Sequence, residues 1–132
     1  MKLLGFIKEH NCIQDAVSLN ELISSASESH SNIEKVIKYL NSGALLLAWM
    51  GYFIDEKTKK PISPDSYFTD GIWVWPSYFP YYLGVYPYMK INPDFLNHLE
   101  NKKFEFRLDD KFESQKNQLE NELSQKLNAE SR

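Results

Sequence analysis

The sequence predicts an α+β fold, in which a small antiparallel sheet is covered by helices and followed by a C-terminal amphipathic helix. Three patterns carry this prediction. An Asp-Gly pair at 70–71 lies between two β-favouring segments, which is a strong hairpin signal. Apolar residues recur at helical spacing over 32–42, and apolar and polar residues alternate strictly over 103–108.

The first part of the chain contains two predicted helices. The Ser-x-x-Glu spacing of a capping box predicts a short helix over 18–25 and a second, longer one over 32–42. The second helix carries its apolar side chains on one face and ends at Gly43. The serine-rich stretch between the two helices predicts a loop.

A continuous apolar segment follows at 44–54 and predicts a buried strand. Its Ala, Leu and Met residues also favour a helix, so both interpretations are open. Residues 55–66 contain three lysines and two prolines. We expect this segment to be a polar, exposed loop.

The hairpin is predicted over 67–75, with two short arms that pair with the apolar strand. Asp70 is then the first central residue of a type I′ turn. Pro76 ends the second arm, and Ser77 is placed to cap a helix over 78–86.

The last part of the chain becomes progressively more polar. An Asn-Pro start predicts a helix over 93–101, and the alternation over 103–108 predicts a half-buried strand. We expect residues 1–110 to form one globular domain and residues 111–132 to form a polar helical tail that frays at its end.

Composition and charge narrow the possible functions. The chain has 132 residues, a net charge of −3 and no basic stripe along the sequence, which argues against sequence-independent nucleic-acid binding. Its single cysteine excludes an internal disulfide framework and fits a reducing compartment. The apolar runs are too short for a secretory leader or a membrane span. We therefore expect a cytoplasmic protein without a membrane partner.

The sequence lacks the common signatures of catalysis. The three histidines show no metal-ligand spacing, and phosphate-binding glycine loops are absent. Cys12 follows His10 by two residues, but a modestly buried thiol is the better interpretation than a nucleophile. Asp65 and Asp70 are two carboxylates that could act as an acid–base pair, but turn roles explain both better. We predict no catalytic residue, no metal, no cofactor and no enzymatic activity.

The aromatic run, residues 67–88, holds ten of the 19 aromatic residues. Trp73 and Trp75 point to the same face of an extended strand, so they could form a platform for a small ligand. Packing in the core is the alternative that we favour for most of these rings. Tyrosine hydroxyls need partners or water, which predicts that some tyrosines reach the surface and contact a protein. In and beside the aromatic run we predict six partner-binding residues: Asp65, Asp70, Trp73, Tyr78, Tyr81 and Tyr82.

The stretch that begins Thr69-Asp70-Gly71 continues as Ile72-Trp73-Val74-Trp75-Pro76 and leads to a Tyr-Tyr pair at 81–82. It resembles a Thr-Asp-Gly-x-Trp-x-Trp-Pro pattern of small bacterial proteins that are associated with immunity to polymorphic or contact-dependent toxins. The resemblance covers roughly residues 33–108 and brings no catalytic residue. It implies a non-enzymatic protein that binds and inhibits a toxin domain. A small-ligand binding module around Trp73 and Trp75 is the alternative.

Overall fold

The computed structural model describes residues 1–24 and 29–130. Part of the predicted serine-rich loop, the last residue of the helix over 18–25 and the final two residues of the tail lie outside the described residues. The strands are β1 (Lys2–Leu3), β2 (Ala44–Ile54), β3 (Pro61–Thr69) and β4 (Trp73–Pro76). The helices are α1 (Leu19–Ser24), α2 (Ile33–Asn41), α3 (Tyr78–Val85), α4 (Pro93–Asn101) and α5 (Phe112–Glu130).

The predicted α+β class is confirmed. The four strands form one sheet in the order β1-β4-β3-β2. The pairs β2–β3 and β3–β4 are antiparallel, as the hairpin predicts. The short strand β1 pairs in parallel with β4, so the sheet is mixed. Two residues are too short a segment to produce an alternation, which is why the sequence does not predict β1.

Strand β3 begins earlier than predicted, because part of the expected loop over 55–66 is extended. Pro61 pairs with Ile54, and Pro64 pairs with Tyr52 beside a bulge in β2. Strand β4 pairs only with the last three residues of β3, starting at Tyr67. The first part of β3 therefore has one unpaired edge, where a proline removes no ladder hydrogen bond.

The turn between β3 and β4 differs from the predicted type I′ turn. The amide of Asp70 donates to the carbonyl of Trp73 at 3.2 Å, so Asp70 belongs to the paired strands. Gly71 has a φ of +99°, whereas Asp70 has a negative φ. A type I′ turn needs two positive φ angles. The Asp-Gly signal thus locates the hairpin but shifts the turn by one residue.

The prediction of a strand over 103–108 is wrong. Lys103 and Phe104 both have left-handed backbone, with φ of 54° and 58°, and this breaks any extended conformation directly after α4. The burial still alternates, since Phe104 and Phe106 are half-buried while Glu105 and Arg107 are exposed. The pattern therefore reports which side chains face the protein but not a strand.

The helices agree with the predicted positions, but the caps do so only in part. Ser18 accepts a hydrogen bond from the amide of Glu21, and Asn92 accepts one from the amide of Asp94. Helix α2 starts after Asn32 without a side-chain cap, contrary to the predicted capping box. Ser77 does not cap α3 either, because its hydroxyl donates to the carbonyl of Pro64.

The hydrophobic core includes the C-terminal helix as well as the sheet. The aromatic residues of β4 and α3 are almost fully buried, except for the half-buried Tyr81. The predicted apolar stripe of α5 is buried too, with Leu119, Leu123 and Leu127 in the same core. Helix α5 packs near β2, and the amino group of Met1 lies 3.9 Å from the carboxylate of Glu122.

Candidate functional site

Most of the predicted partner-binding aromatic residues are buried. Trp73 is 3% exposed, Tyr82 is 1% exposed, and neither Tyr78 nor Trp75 has any exposed surface. The indole nitrogen of Trp75 donates to the carbonyl of Leu40 at 3.2 Å. The two tryptophans therefore do not present open faces for stacking, and the core interpretation of these rings is correct.

Asp70 is the centre of a buried polar cluster. Its carboxylate accepts four hydrogen bonds, two from the amides of Ile72 and Trp73 and two from the side chains of Tyr39 and His98. Burial by itself raises the pKa of a carboxyl group, but these donors outweigh it and lower the pKa of Asp70 below its ordinary value. Asp70 is thus a fully bonded structural anion that fixes the turn.

A second cluster explains where the buried tyrosine hydroxyls find partners. The hydroxyl of Tyr78 donates to Asn11 at 2.7 Å and accepts from the amide of Ile7 at 2.8 Å. The side chain of Asn11 in turn donates to the hydroxyl of Tyr67 at 2.8 Å. Burial raises the pKa of Tyr67 and of Tyr78 well above the ordinary value, so both rings stay neutral. The N-terminal segment, which showed no pattern in the sequence, supplies these partners.

Tyr81 and Asp65 are the two predicted contact residues that are only half-buried. The hydroxyl of Tyr81 donates to Asp55 at 2.7 Å. Asp65 bonds to Tyr67 through its carboxylate, while its Oδ1 atom is buried and has no hydrogen-bond partner among the described residues. Burial raises the pKa of Asp65, and the bond from Tyr67 only partly offsets it. Asp65 and Asp70 belong to different clusters, so they do not form an acid–base pair.

Cys12 is exposed, which corrects the expectation of a buried thiol. It lines a cavity of about 240 Å³ together with His10, Asp65 and Trp49. The Nε2 atom of His10 lies 2.8 Å from the hydroxyl of Tyr82, and burial lowers the pKa of this histidine despite nearby carboxylates. His10 is therefore engaged with a tyrosine. Across the described parts of the chain, no hydrogen bond joins it to Cys12.

The surface that does stand open is strand β2, and the prediction that this strand is buried is wrong. Met50 is 98% exposed and Tyr52 is 63% exposed. The other large apolar side chains exposed on β2 are Leu45, Trp49 and Ile54. Strand β2 also pairs with β3 on one side only, so an apolar strand predicted for the interior is an edge strand.

A bulge shapes the middle of this edge. The pairing with β3 jumps from Ala48 to Tyr52, so Trp49, Met50 and Gly51 lie outside the regular register. Gly51 has a φ of +101°, a conformation that side-chain-bearing residues rarely adopt. Trp49 contacts Tyr67 edge-to-face at 5.7 Å, while Met50 projects into solvent. The bulge thus presents a methionine at the centre of the strand.

Apart from its bulge, strand β2 lacks the usual devices that protect an edge. Natural edge strands carry charged residues or proline, or are short, and thereby avoid pairing with other chains. Strand β2 has 11 residues, none of them charged and none of them proline. An exposed apolar edge of this kind marks a place where another strand can add.

Comparisons with protein-family models, with curated proteins and with solved structures found no significant match to this chain. Within the described residues, no group of three or more metal-ligating side chains comes together. Among those residues there is also no helix with the length and apolar character that crossing a bilayer requires. The candidate site therefore rests on the geometry of β2. Sequence reasoning missed it because an apolar run has the same pattern at the centre and at the edge of a sheet.

Proposed function

We propose that this protein is a non-enzymatic, cytoplasmic protein-binding module, an immunity protein that binds and inhibits a bacterial toxin domain. The partner is held along the free edge of β2. The observation that carries the proposal is the long, uncharged and exposed edge strand, with Met50 and Tyr52 as its most accessible apolar side chains.

The mode of binding follows from the backbone of an edge strand. Its outward N–H and C=O groups can form a ladder with an extended segment of a partner, while alternate side chains provide apolar contacts. Methionine and aromatic residues are enriched at protein interfaces, and here Trp49, Met50 and Tyr52 lie within four positions of each other. The occupant that fits is an extended, uncharged strand on the surface of the toxin domain.

Two further features support a toxin as the partner. The chain resembles small bacterial proteins associated with immunity to toxins through its Thr-Asp-Gly-x-Trp-x-Trp-Pro segment. Its net charge of −3 would also speed association with a basic domain such as a nuclease. Because the tryptophans of that segment are buried, we assign them to the scaffold, and we assign the contact to β2.

The experiment co-expresses this chain with the protein encoded by the gene immediately upstream, as the candidate toxin. Growth rescue and co-elution on gel filtration are measured for the wild type, for the double variant Met50→Lys/Tyr52→Lys and for a control, Ile72→Lys/Val85→Lys. Ile72 and Val85 are exposed apolar residues outside β2, and the control gains the same two charges, so it controls for charge and solubility. We expect rescue and a 1:1 complex with the wild type and the control, and loss of both with the double variant.

Two results would sink the proposal. One is rescue by the double variant at the level of the wild type. The other is that the isolated protein elutes as a stable dimer whose formation the double variant abolishes, since a second copy would then occupy β2.

A second candidate function is binding of a small molecule. A cavity of about 270 Å³ lies between Trp75, Phe68 and Pro80, with Ser63 and Ser77 on its other wall. The two serine hydroxyls bond to each other at 2.8 Å. Titration with sugars, nucleotides and quaternary amines tests this second function. A ligand in the cavity would lie beside the buried ring of Trp75 and change the fluorescence of that tryptophan; a flat response across the panel counts against it.

A further inference from the structure

A cavity of about 600 Å³ lies between helix α2 and the segment that follows α4. Four cationic side chains line it: Lys35 and Lys38 from α2, and Lys103 and Arg107 from the later segment. The two groups are more than 60 positions apart in the sequence, so no basic stripe is visible before folding. The fold assembles a positive cavity on a chain whose net charge is −3.

Three of the four cationic side chains in this cavity have no carboxylate partner among the described residues. The lining contains one acidic side chain, Glu105, whose carboxylate lies 3.3 Å from the guanidinium of Arg107. Among residues 1–24 and 29–130, Lys35, Lys38 and Lys103 form no ion pair with a carboxylate. Like charges gathered in one concavity repel each other and raise the local concentration of anions.

Aromatic rings form the remaining wall. Tyr39, Phe104 and Phe106 line the same cavity, and Tyr39 and Phe106 contact each other edge-to-face at 5.3 Å. The Lys35 ammonium lies 5.7 Å from the centre of the Phe104 ring. A ligand in this cavity would therefore meet cations and an apolar, partly exposed ring surface together.

The backbone that presents this wall is held in an uncommon conformation. Lys103 and Phe104 are consecutive non-glycine residues with positive φ, a conformation in which the Cβ atom crowds the backbone. The amide of Phe104 donates to the carbonyl of Leu99 at 2.8 Å, and the ammonium of Lys102 donates to the carbonyl of Arg107 at 3.2 Å. These bonds hold the strained turn, and the turn places Lys103 and Phe104 opposite α2. Strain of this kind is concentrated at binding sites.

We propose that this cavity binds a small phosphomonoester whose other part is flat and apolar. The phosphate would lie among Lys38, Lys103 and Arg107, because a dianion matches several point charges better than a carboxylate does. The flat part would pack on Phe104. This site is independent of the proposed role of β2, because none of its lining residues belongs to that strand.

Calorimetric titration with three probes tests the proposal: adenosine 5′-monophosphate, inorganic phosphate and adenosine. We expect the nucleotide to bind most tightly, phosphate more weakly and adenosine not measurably. Raising the salt from about 50 mM to about 300 mM should weaken binding several-fold, because exposed charges are screened. Equal affinity for the nucleotide and for inorganic phosphate would overturn the role given to the rings.

Matched charge variants locate the site. Lys38→Gln and Lys103→Gln should each weaken nucleotide binding about tenfold, the effect of losing one charge-assisted hydrogen bond. Lys60→Gln removes the same charge from an exposed position outside the cavity and should leave the affinity unchanged. Absence of binding by the nucleotide at low salt would overturn the proposal, and so would equal weakening by all three variants.

Discussion

Strand β2 and the aromatic run are both rich in large apolar side chains, yet they have opposite environments. The aromatic run supplies the fully buried rings of Trp75, Tyr78 and Tyr82. Strand β2 exposes Met50 and Tyr52. The two regions also differ in pairing: β4 has a strand on each side, whereas β2 has one free edge.

The comparison shows that a high density of aromatic residues is a poor sign of a binding surface when polar partners are available inside. The hydroxyl of Tyr78 is bonded to Asn11 and to the amide of Ile7, so it needs no water. The polar side-chain groups of strand β2 are the indole N–H of Trp49 and the hydroxyl of Tyr52, and β2 is nevertheless the exposed element. An apolar surface that the fold leaves uncovered is the feature that indicates a binding partner.

The largest expected effect comes from truncating the same residue type in the two regions. Trp75→Ala should destabilise the protein by about 3–5 kcal/mol, because it leaves a cavity in the core. Trp49→Ala should cost only about 1 kcal/mol, the value of its edge-to-face contact with Tyr67. Urea unfolding measures both. Equal losses from the two variants would contradict the assignment of Trp75 to the core and Trp49 to the surface.

The next largest loss of stability is expected in the polar clusters around the aromatic run. Asp70→Asn should cost about 3 kcal/mol at neutral pH, because the buried donors lose a charged acceptor. Since the pKa of Asp70 is lowered in the folded state, its contribution is present above the ordinary pKa of aspartate and is lost as the pH falls through the folded pKa. The difference from the wild type should therefore shrink at low pH, as unfolding curves at two pH values would show.

Asp65→Asn is the matched control for this prediction and should act in the opposite direction. Burial raises the pKa of Asp65 in the folded state, so the folded state favours the protonated carboxyl group, and the stability that this group contributes at low pH is lost as the pH rises through the folded pKa. Removing the charge should stabilise the protein at neutral pH. A loss of stability with Asp65→Asn similar to that with Asp70→Asn would mean that both carboxylates are equally well bonded.

A smaller change in stability is expected from a substitution at the start of β2, where the chain packs against the core. A Cβ atom on Gly43 would lie 2.5 Å from the ring of Trp75, whereas one on Gly84 would have no neighbour within 4 Å. Gly43→Ala should therefore destabilise the protein by about 1–3 kcal/mol through overpacking. Gly84→Ala should be neutral or should stabilise helix α3 by up to about 1 kcal/mol. Thermal unfolding would distinguish the two, and a harmless Gly43→Ala would show that Trp75 has room to move.

The sequence predicts the positions of the helices and strands better than it predicts which of them are buried and what they contact. Helical spacing and turn residues located α2, α4 and the hairpin at Gly71, because these signals are local. Local patterns carry no information on which strand lies at the edge, so the burial of β2 was predicted wrongly. The partners of Asp70 and Tyr78 come from His98, Asn11 and other distant positions, which only the fold brings together.

The central claim is that exposure lies on β2 and not on the aromatic run, and acrylamide quenching of tryptophan fluorescence tests it most directly. The chain has three tryptophans, and Trp49 is the only accessible one because Trp73 and Trp75 are buried. The account predicts that Trp49→Phe removes most of the quenchable emission and leaves a blue-shifted, protected signal. If Trp49→Phe leaves quenching unchanged while Trp75→Phe lowers it, the assignment of the two regions is contradicted.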